Sequence, residues 1–251
     1  MKNHIHYNRV TSTNTLLKEM LLSEQPISHF TVISADYQLS GRGQRENRWE
    51  SEEGANILFS LLLSPIGLPA TDAFAISRIV SVAIAKWLSR YVTDVSIKWP
   101  NDIYCCDKKI CGILIENSIM GSNLSSAIVG VGININQTHF SEYIQNPISL
   151  ALITGSIYKT DDMLYELLGE IEQQYNRYFN GGEEELNLQY HNMLFRLNTP
   201  AKYKIKTLSA SNDVVVCYAE IIGVEPNGCL MLKFDDGTVC SYAFKEVEFI
   251  I

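Results

Sequence analysis

Between Asp72 and Tyr91, apolar residues recur at Ile76, Ile79, Val80, Ala83, Ile84, Trp87, Leu88 and Tyr91, the 3.6-residue spacing of one helix face. A stripe that wide must be covered, and the flanking sequence supplies the cover. The runs FTVISA (30–35) and NILFSLLL (56–63), and residues 95–99, 110–117 and 126–136, read as strands of four to eight or more residues buried on one or both faces. Adjacent strands with short connections predict a mixed β-sheet with helices packed on one side, an α+β fold. Residues 5–10 add a short strand. Leu16, Leu17, Met20 and Leu21 then mark a helix behind the hydroxyl cap of the segment TSTN. Leu164, Leu167, Leu168, Ile171, Tyr175 and Tyr178 mark a long helix, and residues 183–196 a further one.

After Pro200 the texture changes. Short alternating runs (AKYKIKT, VVVCYAEIIGV, GCLMLKF, TVCSYAF) are separated by PNG at 226–228 and DDG at 235–237, both turn signals. This predicts a small all-β unit, residues 198–251, after a principal domain of residues 1–197. No apolar run approaches the ~18 residues of a membrane span, and MKNHIHYNRV has no apolar signal core, so the expected location is cytoplasmic. A net charge of −8 opposes general adhesion to nucleic acid or anionic membrane, so an anionic ligand has to be held locally. The cysteines at 105, 106, 111, 217, 229 and 240 form no CxxC pair and read as reduced thiols. His4 and His6 have no metal-binding partner nearby in sequence.

One long polar stretch, residues 36–54, stands apart from this pattern. It holds SGRGQRENRW, with three arginines and two glycines in ten positions. Gly41 and Gly43 remove Cβ atoms where backbone N–H groups can approach a ligand. Arg42, Arg45 and Arg48 bring forked donors suited to phosphate or carboxylate, although a solvated basic turn would explain them equally well. In KWPNDIYCCDKKICGILIE (98–116), Pro100 breaks the strand and presents Asn101 and Asp102 at a corner. Lys108 and Lys109 are expected at the next turn, and Gly112 interrupts an apolar strand. In VGVGINI (129–135), Gly130 and Gly132 share one strand face that Asn134 continues. A shallow ligand trough and a close helix contact account for them equally.

The ordered set TSTN, DYQLSGRGQRENRW, KWPND, KKICGIL and VGVGININ resembles the biotin protein ligase family over most of residues 9–137. The unit after Pro200 resembles that family's SH3-like C-terminal domain. The resemblance implies a class II synthetase-like catalytic domain, related to the biotin and lipoate ligases, that joins biotin to ATP as biotinyl-5′-AMP. The biotinyl group then passes to a lysine of a biotin carboxyl carrier protein or biotinyl domain. It implies Lys109, Arg42 and Asp102 as catalytic residues. Biotin would meet Ser12, Thr13, Asn14, Gln38, Gly41, Arg42, Gly43, Gln44, Trp49, Lys109, Gly112, Gly130 and Gly132. ATP, with Mg²⁺, would meet Arg42, Arg45, Arg48, Asn101, Asp102, Lys109 and Asn134. Many relatives read GRGRxGR, whereas this chain has Gln44 and Glu46 in place of the second arginine and the second glycine, one positive charge fewer near the adenylate. Only about ten residues precede TSTN, so the expectation is a short form without a DNA-binding domain; a homodimer is compatible with the sequence. A lipoate or octanoate ligase or transferase is the competing reading of the same fold.

Overall fold

The structure is a computed structural model describing residues 3–23, 27–44, 47–206 and 214–251. Strand β1 (His4–Val10) leads into helix α1 (Thr13–Leu22) and strand β2 (Val32–Gln38). Strand β3 (Ile57–Leu63), helix α2 (Phe74–Leu88) and the strands β4 (Val95–Lys98), β5 (Asp102–Cys105), β6 (Lys108–Met120) and β7 (Asn123–Ile133) follow. Helices α3 (Leu150–Thr154), α4 (Thr160–Phe179) and α5 (Glu183–Asn192) precede a run of short strands: β8 (Pro200–Lys206), β9 (Val214–Val224), β10 (Leu230–Phe234), β11 (Val239–Tyr242) and β12 (Val247–Phe249). The first seven strands form one mixed sheet in the order β1-β2-β3-β7-β6-β5-β4, parallel only at β1–β2. The last five form a separate antiparallel sheet, β11-β10-β9-β8-β12, the SH3-like unit.

The sheet is covered on both faces rather than one. Ile57, Phe59, Leu61 and Leu63 of β3 join α2 and α4 in the main core, while Leu62, with Ile33 and Ile128, packs against Leu17 of α1 on the opposite face. Side chains alternate across a strand, so the all-apolar run of β3 requires apolar partners on both sides. For the same reason α2, between the sheet and α4 and α5, is buried on nearly every side rather than along one stripe.

Three local expectations shift. The predicted helix start at Asp72 is a short 3-10 turn (Ala70–Asp72), and α2 begins at Phe74. Residues 99–101 make a tight turn joining β4 to β5, so Asp102 opens a strand that the turn-rich sequence conceals. Lys108 and Lys109 open β6 instead of forming a turn, because Cys106 and Asp107 complete it with φ of 51° and 63°. No glycine announces that left-handed pair.

The SH3-like unit is seated on the larger one. Trp99 Nε1 donates to the carbonyl of Gly228 at 2.9 Å. Gly228 has φ of 92°, and a Cβ there would lie 2.6 Å from the Phe74 ring. Arg78 on α2, only 4% exposed, donates to Asn187 Oδ1 (2.9 Å) and to the carbonyls of Val224 (3.2 Å) and Glu225 (2.6 Å). It also lies over the rings of Phe74 and Tyr190.

Candidate functional site

Gly112 of β6 and Gly132 of β7 are directly paired in the sheet, on the α1 face, leaving a bare patch two strands wide. The Trp49 indole lies on that patch. A Cβ on Gly132 would be 2.4 Å from Trp49 Cε2, and one on Gly112 2.8 Å from Cζ3. Gly130 serves another neighbour, since its Cβ would meet Asn14 Oδ1 at 2.1 Å. The trough and the helix contact are therefore both real, at different glycines.

Asn14 has a protein partner at each end of its amide. Its Oδ1 is 2.5 Å from Ser60 Oγ, and its Nδ2 donates to Glu116 Oε2 at 3.0 Å. The N-terminus of α1 is not capped by Ser12. Instead Gln38 Oε1 accepts from the Thr13 backbone N–H (2.8 Å) and lies 3.2 Å from Thr13 Oγ1. Ser12 and Gln38 both line the cavity, and neither the Ser12 hydroxyl nor the Gln38 Nε2 has a capping duty.

At the end of the trough stands Lys109. Its backbone is tied on both sides to a crossing segment, N–H to the Asn146 carbonyl (2.8 Å) and carbonyl from the Ile148 N–H (3.0 Å). Its Nζ is 2.8 Å from Asp102 Oδ1 and 5.9 Å from the centre of the Trp49 ring. Beyond it lies Lys98, whose amine sits 4.6 Å from the Phe249 ring and 5.4 Å from the Tyr104 ring. Burial holds the Lys98 ammonium below its ordinary range, and among the described residues it has no carboxylate within ion-pairing distance. A half-buried cation that has aromatic faces but no carboxylate beside it is suited to receive an anion.

Residues 39–44 and 47–52 fold back on each other as a flap. Gly43 N–H donates to the Asn47 carbonyl (2.8 Å) and Trp49 N–H to the Gly41 carbonyl (3.0 Å), which pairs the backbones of Arg42 and Arg48 in antiparallel fashion. The two glycines thus let the flap's own arms approach: a Cβ on Gly41 would be 2.3 Å from the Trp49 carbonyl oxygen. The Gly43 N–H is committed to the flap's own backbone here, while Gly41 contributes its carbonyl.

Trough, Lys109 and flap open into one cavity of about 1080 Å³. All the residues that the sequence suggested line it, with three exceptions. Arg45 lies outside the described residues. Gly41 faces the outer side of the flap. Asn134 is not on the wall; its amide is turned away to the Ile148 carbonyl, 3.0 Å distant. Asn101 is on the wall with its amide committed to the Ile113 carbonyl.

Sequence reasoning missed several participants. Ser60 was detectable as the lone hydroxyl in an apolar strand. Lys98 sits inside a noted motif, KWPND. Lys204, Lys206, Lys245 and Phe249 line the cavity from the SH3-like unit, and no sequence signal linked them to it. Among the described residues, seven lysines and arginines face this cavity against four Asp and Glu side chains, in a chain whose net charge is −8. Positive charge is thus concentrated where an anion would be held.

An apolar trough ending in an ion-paired lysine, beside a basic chamber under an arginine flap, is the arrangement of an enzyme that brings a carboxylate to a nucleotide. Residues 7–134 match the biotin/lipoate A/B protein ligase family, and the chain belongs to it. The bifunctional ligase/repressor BirA of Bacillus subtilis is 27% identical over 242 residues, 94% of this chain and 71% of that protein. The biotin--[acetyl-CoA-carboxylase] ligase of Paracoccus denitrificans is 32% identical over 130 residues, 51% of this chain and 52% of that one. Among solved structures, the biotin protein ligase of Aquifex aeolicus in complex with biotin and ATP aligns with a TM-score of 0.79 at 25% identity, covering 100% of this chain and 99% of that one.

Proposed function

We propose that this chain is a biotin protein ligase: it condenses biotin with ATP to biotinyl-5′-AMP and pyrophosphate, then transfers the biotinyl group to a carrier lysine. The observation that carries the reading is Lys109, standing between the paired glycines and the basic chamber. Biotin's carboxylate and the α-phosphate repel each other, by about 4 kcal/mol for unit charges 4 Å apart near a protein surface. An ammonium between them reverses that term and stabilises the charge that passes to the leaving pyrophosphate. Asp102, 2.8 Å from Lys109, aims that ammonium.

The valeryl chain would lie over Gly112 and Gly132, where bare backbone leaves room once the indole lifts. The Trp49 Nε1 is buried without a hydrogen-bond partner among the described residues, which weakens its seat on the trough. Ser12, Thr13 and Gln38 present the hydroxyls and amide that a ureido group requires. Lys98, Arg48 and the lysines of the SH3-like unit would face the polyphosphate, and magnesium carried by the nucleotide would add charge neutralisation there. We divide the chain into a catalytic unit (1–197) and an SH3-like unit (198–251) that completes the cavity wall.

In the second step the acceptor lysine has to be neutral, yet with a pKa of about 10.4 fewer than about one in a thousand is so at pH 7. Asp102 is the carboxylate positioned to take that proton. The acceptor is a biotin carboxyl carrier protein or biotinyl domain. A cytoplasmic setting suits the use of ATP and the six free cysteines, and among the described residues no helix is long and apolar enough to cross a membrane. A repressor role is not proposed, since the net charge of −8 repels DNA.

Incubation with Mg-ATP and biotin should release pyrophosphate, whereas octanoate or lipoate in place of biotin should not. Lys109→Met should abolish the release. Preference for octanoate would transfer the reading to the lipoyl branch of the family, and full activity in Lys109→Met would end the charge-bridging argument.

A further inference from the structure

Glu116 lies on β6 opposite Ile128, on the α1 face of the sheet, and is not part of the cavity wall. It nevertheless holds the flap. Both carboxylate oxygens engage Arg42, Oε2 from Nη1 at 3.0 Å and Oε1 from Nη2 at 3.1 Å, the two-pronged geometry that fixes orientation as well as distance. Oε2 also accepts from Asn14 Nδ2 at 3.0 Å. Asn14 is buried, rests on Gly130 and meets the buried Ser60 hydroxyl. A line of polar contacts thus runs from the sheet interior through Ser60, Asn14 and Glu116 to the flap.

We propose that Glu116 is a positioning residue for adenylate retention: by gripping Arg42 it fixes the flap over the trough. This rests on the biotin ligase reading above. The flap's internal bonds pass the constraint on. Arg42 and Arg48 face each other in a short antiparallel backbone pairing, held by the Gly43 N–H to Asn47 and the Trp49 N–H to Gly41 bonds, so a fixed Arg42 sets where the indole lies. Two guanidinium N–H groups go to Glu116, which leaves three of the five donors for an anionic ligand. Glu116 therefore acts through Arg42 and need not touch substrate.

The test is a double-mutant cycle on the escape of labelled biotinyl-AMP from enzyme without carrier. Glu116→Ala should speed escape about tenfold, and Glu116→Gln, which keeps the shape and one acceptor, by less. In an Arg42→Ala background, Glu116→Ala should add less than about twofold. No effect in the wild-type background, or the same tenfold effect in both backgrounds, would overturn the proposal. A second readout does not depend on the reaction: at a temperature well below both melting transitions, trypsin should cut the flap between residues 42 and 48 about tenfold faster in Glu116→Ala than in wild type. Failure of wild type to make an adenylate would sink the ligase reading alone. Unchanged flap cleavage would sink the role of Glu116.

Discussion

Gly132→Ala separates the trough from the fold. The added Cβ would stand 2.4 Å from Trp49 Cε2, where carbon atoms normally keep about 3.5 Å or more, so whatever lies on the strand must rise by about 1 Å. The indole sits on a flap and can rise. On the reading proposed above, biotin would be held at its head by Ser12, Thr13 and Gln38 and at its carboxylate by Lys109, and would have no such freedom. Overpacking of this kind costs about 1–3 kcal/mol. The apparent biotin affinity should therefore fall by roughly 5- to 150-fold, read as the KM for biotin in pyrophosphate release or by titration calorimetry. ATP binding should be little changed. Gly130→Ala is the control, because its Cβ would meet Asn14 Oδ1 at 2.1 Å inside a packed network. That substitution should lower stability as well, by about 1–3 kcal/mol for the polar group it unpairs. If Gly132→Ala binds biotin as tightly as wild type, biotin does not lie along β7 and the site has been misplaced.

Gln44→Arg, which restores a cation on the cavity wall, should slow the escape of biotinyl-AMP measured without carrier; an unchanged rate would mean that the other arginines already compensate. Arg78→Met should destabilise the fold by roughly 1–3 kcal/mol, seen in urea denaturation, because it leaves the Asn187, Val224 and Glu225 oxygens without their donor. Acidification should also weaken the fold. Burial holds the imidazoles of His4 and His29 below their ordinary range, and His29 Nδ1 accepts the Ser64 N–H at 2.9 Å, which requires the neutral ring. A group with a depressed folded pKa contributes its stability above the unfolded value, about 6.5 for histidine, and loses it as the pH falls through the folded value. The melting temperature should drop between about pH 7.5 and about pH 5.5, and His29→Gln should flatten that slope.

Much of this was present in the chain itself. The helical stripe at 76–88, the apolar strands and the turn-punctuated segment after Pro200 specify a sheet covered by helices and a small β unit, because periodicity is local and each element carries its own. That Lys109, Asp102 and the arginine loop are candidates for one site was legible because charge and bare backbone stand out in an otherwise apolar, acidic sequence, and the structure brings Lys109, Asp102, Arg42 and Arg48 to one cavity. Strand β5 and the 106–107 turn were hidden because neither glycine nor a long apolar run marks them.

What only the tertiary structure decided is which residues meet. That Gly112 opposes Gly132, that Gly130 instead receives Asn14, and that Glu116 grips Arg42 across 74 residues of chain all follow from strand register and helix placement. The same holds for Lys204, Lys206 and Phe249, brought to the cavity by the seating of the second unit on Trp99 and Arg78. Residue types limit what chemistry a chain can perform. The distances that make it happen come from long-range packing, to which each residue contributes and which no short segment encodes.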